Sequence, residues 1–276
     1  MKKRYFLIMA VILILVIILL NGGIPKKLDE PVFVKNLVCS CDMDADVEFI
    51  TNNNYKLKVK DVEIPNMPDN LSIEFYDEEI EEWPKYDIHW LSFGIGADEL
   101  SEDGGLKEDF VFHEIIVKWD DSSEAKVDIG TIHMTANSED FLLDNTGTQH
   151  AYPSDDIIES TEFFVATKNM QITDISIPYY DKVSDFITDV CFNGESIELI
   201  SEETPVTIKK GEQCELTYTI DNSADSVLKQ YGKVFIEGVI TGKTSDEESF
   251  LDKFYINGYQ GRNMPEWAEE QIANEE

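Results

Sequence analysis

Positive charge is scarce in this chain: 22 Lys+Arg stand against 56 Asp+Glu, with only 4 His. Lys2, Lys3 and Arg4 take three of those cations and residues 5–20 take none, so the rest of the chain carries 19 positive against 56 negative charges. That body repels phosphate backbones and anionic headgroups, which argues against nucleic-acid partners and against a peripheral polybasic anchor. Catalytic signatures are missing too. The chain has no G-x-S-x-G, no H-E-x-x-H and no protease-type Cys-His motif. Its G-x-G, Gly94-Ile95-Gly96, lacks a phosphate-binding loop and a following helix. No cofactor is implied.

Cysteine is sparse as well, with 4 in the chain. Four allow three pairings in an oxidising compartment. Cys191 and Cys214 fall on two predicted strands and form the geometrically easy bridge. Cys39 and Cys41 are two apart on an extended segment, about 6.5–7 Å at Cα, where a bridge is strained. The competing reading is four reduced thiols. A lone C-x-C supplies half of the four ligands a structural zinc needs.

Among what is present, the amino terminus comes first. Three cations precede sixteen uncharged hydrophobic residues, 5–20, and extension through Ile24 reaches the length of a spanning helix. No A-x-A-like cleavage site follows, and the first cysteine is Cys39. An uncleaved single-pass signal anchor over residues 5–24 is therefore expected, with a cleaved signal peptide as the competing reading. The flanking charges place residues 1–4 in the cytoplasm and the body outside, although Lys26 and Lys27 weaken the contrast.

Residues 25–30 read as a tether. Beyond it, apolar and polar residues alternate in short runs. Runs at 108–120 and 125–136 flank Asp120-Asp121-Ser122-Ser123 and predict a long hairpin. Residues 137–156 are rich in Asn, Asp, Ser, Thr and Gly and read as a boundary between two domains. About seven short strands follow from Thr161, spaced as in a β-sandwich. Residues 261–276 read as an acidic tail or short helix.

Residues 205–226, PVTIKKGEQCELTYTIDNSADS, place a strand, a Lys-Gly turn and a strand ending in Asp-Asn-Ser in sequence. This segment resembles the central hairpin of immunoglobulin-like modules of bacterial surface proteins. The resemblance implies a fold and a surface location and carries no functional residues. The expected architecture is thus mainly β: a transmembrane helix, a β-rich domain over 31–150, and an immunoglobulin-like β-sandwich over 161–260.

Candidate sites are weak. Asp42, Asp44 and Asp46 occupy positions 1, 3 and 5 of an EF-hand-like loop, but Val47 stands where Gly makes the turn and Asn53 where Glu chelates. Looser Ca²⁺ association by acidic runs (42–46, 77–82, 98–103, 246–248) is the broader expectation. His113 and His133 share a face only in some registers of the predicted hairpin. Trp83, Trp90, Trp119 and Trp267 are a possible sugar platform or, alternatively, core and loop anchors. The sequence favours a non-enzymatic surface module binding a protein or glycan. An anchored hydrolase using carboxylates of the first domain on wall glycan or peptide is the alternative.

Overall fold

The computed structural model describes residues 27–101, 105–136, 140–154, 157–222, 227–258 and 264–274. The expected anchor at 5–24 lies outside them, and no helix among the described residues is long and apolar enough to cross a membrane.

The first half contributes β1 (Val32–Phe33), β2 (Asn36–Ser40), β3 (Asp44–Asn52), β4 (Val59–Glu63), β5 (Leu71–Glu82), β6 (Tyr86–Ala97), β7 (Phe110–Trp119) and β8 (Glu124–Met134). The second contributes β9 (Leu143–Ala151), β10 (Ile157–Ala166), β11 (Met170–Ser176), β12 (Ile187–Phe192), β13 (Glu195–Ser196), β14 (Val206–Ile208), β15 (Gln213–Asp221), β16 (Lys233–Thr244) and β17 (Ser249–Asn257). Among the described residues, helix is limited to the turns Tyr180–Val183 and Val227–Gln230, a 3₁₀ turn at Ile197–Leu199 and Met264–Asn274. The mainly β expectation holds.

The described residues form three sheets: β1-β3-β6-β5, β13-β12-β15-β10-β9, and a long sheet β14-β11-β16-β2-β8-β7-β4 with β17 also on β16. The long sheet runs through both halves of the chain. Its β2 pairs in parallel with β8 on one side and with β16 on the other, 197 residues downstream at Asn36↔Lys233. Such a strand is covered on both faces, here with the buried polar Asn36 and Ser40 flanking Val38 on one of them. Leu37 and Cys39 enter one core with Phe164, Phe192, Leu216, Val234 and Ile236. Val38 packs against another, with Phe93, Phe112 and Ile132. The four-stranded and five-stranded sheets therefore cover opposite faces of the long sheet, and β2 is the seam where the two sandwiches meet.

The seam needs a glycine. Gly130 faces Asn36 in the β2–β8 register with φ of +85°, and a Cβ there would stand 2.3 Å from the Asn36 carbonyl oxygen. The C-terminal helix adds a second tie between the halves. Its Trp267, Ala268 and Ile272 bury with Leu28, Ile50, Tyr86 and Ile88, and Glu269 pairs with Lys85.

Several expectations need correction. The predicted hairpin is present as β7–β8, but residues 137–156 include β9, nine residues paired along β10 with a bulge at Thr146. Its side chains are mostly exposed because β9 is the sheet's edge, so its composition resembles a loop. The two strands at 206–221 do not pair as a hairpin. β14 pairs with β11 in the long sheet, and the turn at Lys209–Glu212, with Gly211 at φ +80°, carries the chain across to β15 in the five-stranded sheet. Finally, all four cysteines are free thiols. Cys191 lies opposite Thr217, three residues from Cys214. That offset is about 10 Å along β15 and turns the two side chains to opposite faces, so no Cys191–Cys214 bridge closes.

Candidate binding pocket

The inward row of β10 reads Ile158, Ser160, Glu162, Phe164, Ala166, a buried row interrupted by a hydroxyl and an acid. Glu162 is 2% exposed. It receives hydrogen bonds from the Tyr218 hydroxyl of β15 (3.3 Å to Oε1), from Asn145 Nδ2 of β9 (3.3 Å to Oε2) and from the backbone N–H of Tyr255 on β17. Tyr218 also lies 3.1 Å from the Tyr255 carbonyl, and its single proton serves one acceptor at a time. Glu162 and Tyr218 thereby occupy the outer edge of β17, where ladder groups would otherwise lack partners.

Beside them lies a solvent-reached cleft of about 230 Å³. Asn145, His150, Ser160, Glu162, Tyr218 and Asn257 line it, together with the paired rings of Phe235 and Tyr255, 6.0 Å apart at 27°. His150 Nδ1 is 2.9 Å from the Ser160 hydroxyl. Burial pushes the Glu162 carboxyl up to about 7, while its bonds from Tyr218 and the Tyr255 amide pull the other way. Burial, then the Glu162 charge, raises the Tyr218 phenol. Among the described residues no Lys or Arg pairs with Glu162. A buried carboxyl tuned near neutrality inside a cleft is a site feature. Sequence reasoning missed it, although an acid on an inward strand row was the available signal.

Two constellations have the outline of a catalytic triad. In the first, Cys39 Sγ is 3.6 Å from His133 Nδ1, and His133 Nε2 is 2.9 Å from Asp109. Cys39 is 0% exposed, and burial, then Glu237 and Asp109, push its thiol up to about 12. The Tyr179 hydroxyl, 3.1 Å away, competes for the same ring nitrogen. A reactive cysteine needs the opposite environment. In the second, Thr51 Oγ1 is 2.9 Å from His89 Nε2 and Glu78 Oε1 is 2.7 Å from His89 Nδ1. Thr51 is 1% exposed and His89 3%, with Phe49 stacked on the ring. Both arrangements are satisfied core networks.

The sequence candidates stay dispersed. Asp42 precedes β3, while Asp44 and Asp46 sit on its exposed face, accepting hydrogen bonds from Tyr76 and Ser92. Extended backbone spaces them about 7 Å apart and does not converge them as a calcium loop does. His113 donates to the Gly130 carbonyl and does not join His133. Trp119 and Trp267 are buried and offer no platform. No group of three or more His, Cys, Asp or Glu among the described residues is arranged to hold a metal.

No family model matches the chain, and no curated protein matches it. One similar solved structure is a secreted serine protease, VesC, from Vibrio cholerae, at 9% identity and a TM-score of 0.21. The match covers 81% of this chain and 49% of that one, so the chain spans about half the protease's length. At that similarity it carries no argument about fold or activity.

Proposed function

We propose that this protein is a membrane-tethered extracytoplasmic binding module, held by residues 5–24 with its amino terminus inside. The observation that carries the binding reading is the Glu162 cleft: a buried, near-neutral carboxyl without a cationic partner among the described residues, open to a ligand-sized space. Its ligand is a group presented by a surface protein or glycan. The uncharged residues 5–20 behind Lys2, Lys3 and Arg4 carry the tether and its orientation. The excess of acid concentrates cations, Ca²⁺ included, at the surface without defining a site.

An immunoglobulin-like second half is supported by strand order. Strands β9-β10-β15-β12 face β11-β16-β17, the A-B-E-D and C-F-G arrangement of constant-type domains. The extra strand β14 on the edge of β11 departs from that plan.

The hydrolase alternative draws on an acidic cleft of about 370 Å³ in the first half, lined by Asp98, Glu99, Glu108 and Asp109. Two of those acids are engaged already, Asp109 by His133 and the Ala136 amide, Glu99 by Lys107. That arrangement favours binding over carboxylate-pair chemistry.

Protease shaving of intact cells tests the topology, with cleavage of the body expected before permeabilisation. A body protected until the membrane is opened overturns the extracytoplasmic placement. The Thr148→Trp variant, which fills the cleft from β9, tests the site. It should abolish retention on the native surface, and unchanged retention overturns the pocket assignment.

A further inference from the structure

We infer that the Glu162 cleft takes a primary ammonium group, such as the end of a lysine side chain presented by a surface protein. The inference rests on the reading that this cleft is the binding site.

Chemistry narrows the ligand. Among the described residues Glu162 meets neutral donors only: a phenol, a carboxamide and one backbone amide. An ionised carboxyl at such a place is poorly compensated, and a cation that enters beside it supplies the missing charge. An anionic ligand meets repulsion from Glu162 and from the acidic surface. Ammonium also matches the hydrogen-bond inventory. It brings three donors and no acceptor, and the cleft offers the Glu162 carboxylate with the hydroxyls of Ser160 and Tyr218. The Phe235 and Tyr255 rings suit an alkyl stem and can face its charge. A volume of 230 Å³ corresponds to about seven or eight waters at ~30 Å³ each, enough for a four-carbon chain with its head group.

Glu162 sets the pH direction among the groups that face the cleft. On β9 stands His150, on β15 Tyr218 and on β17 Tyr255, while β10 adds Ser160 and β16 adds Phe235, neither charged. Acidification protonates Glu162 and removes the charge that the ammonium pairs with, which weakens cation binding at low pH.

The test uses the full chain in detergent, titrated calorimetrically with n-butylammonium and with the uncharged isostere 1-butanol at pH 6 and pH 8. Butylammonium should bind about tenfold more tightly at pH 8 than at pH 6, following deprotonation of a carboxyl with a midpoint near 7. Butanol should not bind. Glu162→Gln should lose ammonium binding and its pH dependence while retaining the thermal transition. Thr148→Trp should lose binding with Glu162 untouched. Butanol binding as tightly as butylammonium, and lost in Thr148→Trp, overturns the ammonium inference and leaves the pocket assignment standing. Ammonium binding that survives both variants overturns the pocket assignment as well.

Discussion

Val38 and Cys39 are adjacent on β2 and point into different cores, Val38 beneath the four-stranded sheet and Cys39 beneath the five-stranded one. One five-residue strand therefore couples the two sandwiches, and its pairing with β16 requires the far end of the chain. The halves should unfold as one unit, not as two independent domains.

The first prediction concerns that seam. Alanine at Gly130 meets both a left-handed φ and the Asn36 carbonyl. Gly130→Ala should destabilise the protein by about 2–4 kcal/mol. Calorimetry should retain a single transition at lower temperature. A new separate transition for one half would contradict the coupling through β2.

A second prediction addresses the polar side of the seam. Glu237 and Lys253 are 2% and 4% exposed and 3.2 Å apart, and Glu237 also receives the Ser40 hydroxyl and the Cys41 amide. Lys253→Met strands a buried carboxylate and should cost about 3–5 kcal/mol. Adding Glu237→Gln should recover most of that loss. Chemical denaturation of the single and double variants checks it, and additive losses would contradict direct pairing.

Thiol chemistry separates a core network from a hidden nucleophile. Cys39 and Cys214 are buried, and burial first of all pushes both thiols up to about 12. Cys191, half-buried, should react first with maleimide, while Cys39 and Cys214 should react only after unfolding. Site-resolved mass spectrometry measures the order. Labelling of Cys39 ahead of Cys191 in the native protein would reopen the cysteine–histidine reading. Peptide mapping without reductant should recover no Cys191–Cys214 bridge.

Legibility in the sequence followed the range of the interactions. The β7–β8 hairpin was readable because alternation and its turn residues are local. The β2–β16 pairing joins segments 197 residues apart at Asn36↔Lys233 and leaves no local mark. At 205–221 the pattern gave two strands and a turn correctly, yet nothing in it distinguishes a hairpin from a crossing between sheets. β9 was hidden because a solvated edge strand, fixed by its partner β10, has the composition of a loop. Glu162 alone was legible in principle, as an acid in phase with Ile158 and Phe164.

The pH dependence of stability should carry the Glu162 signature. Its folded value, about 7, lies above the ordinary carboxyl value of 4.5, so the folded state holds the proton more tightly. The resulting stabilisation is fully present below about pH 4.5 and is lost as pH rises through 7, a change on the order of 3 kcal/mol. Glu162→Gln removes this component and leaves the other groups in place. Wild type should match or exceed the variant at pH 5 and fall below it at pH 8 in urea denaturation. A difference that does not change with pH would contradict the buried placement.

The most direct measurement follows the Glu162 side-chain carboxyl itself, by ¹³C NMR of the full chain across pH 4–9, with and without saturating n-butylammonium. The midpoint should lie near 7 in the free protein and shift to lower pH with ligand, because the cation stabilises the ionised form. A midpoint in the ordinary carboxylate range, unmoved by the amine, would contradict it.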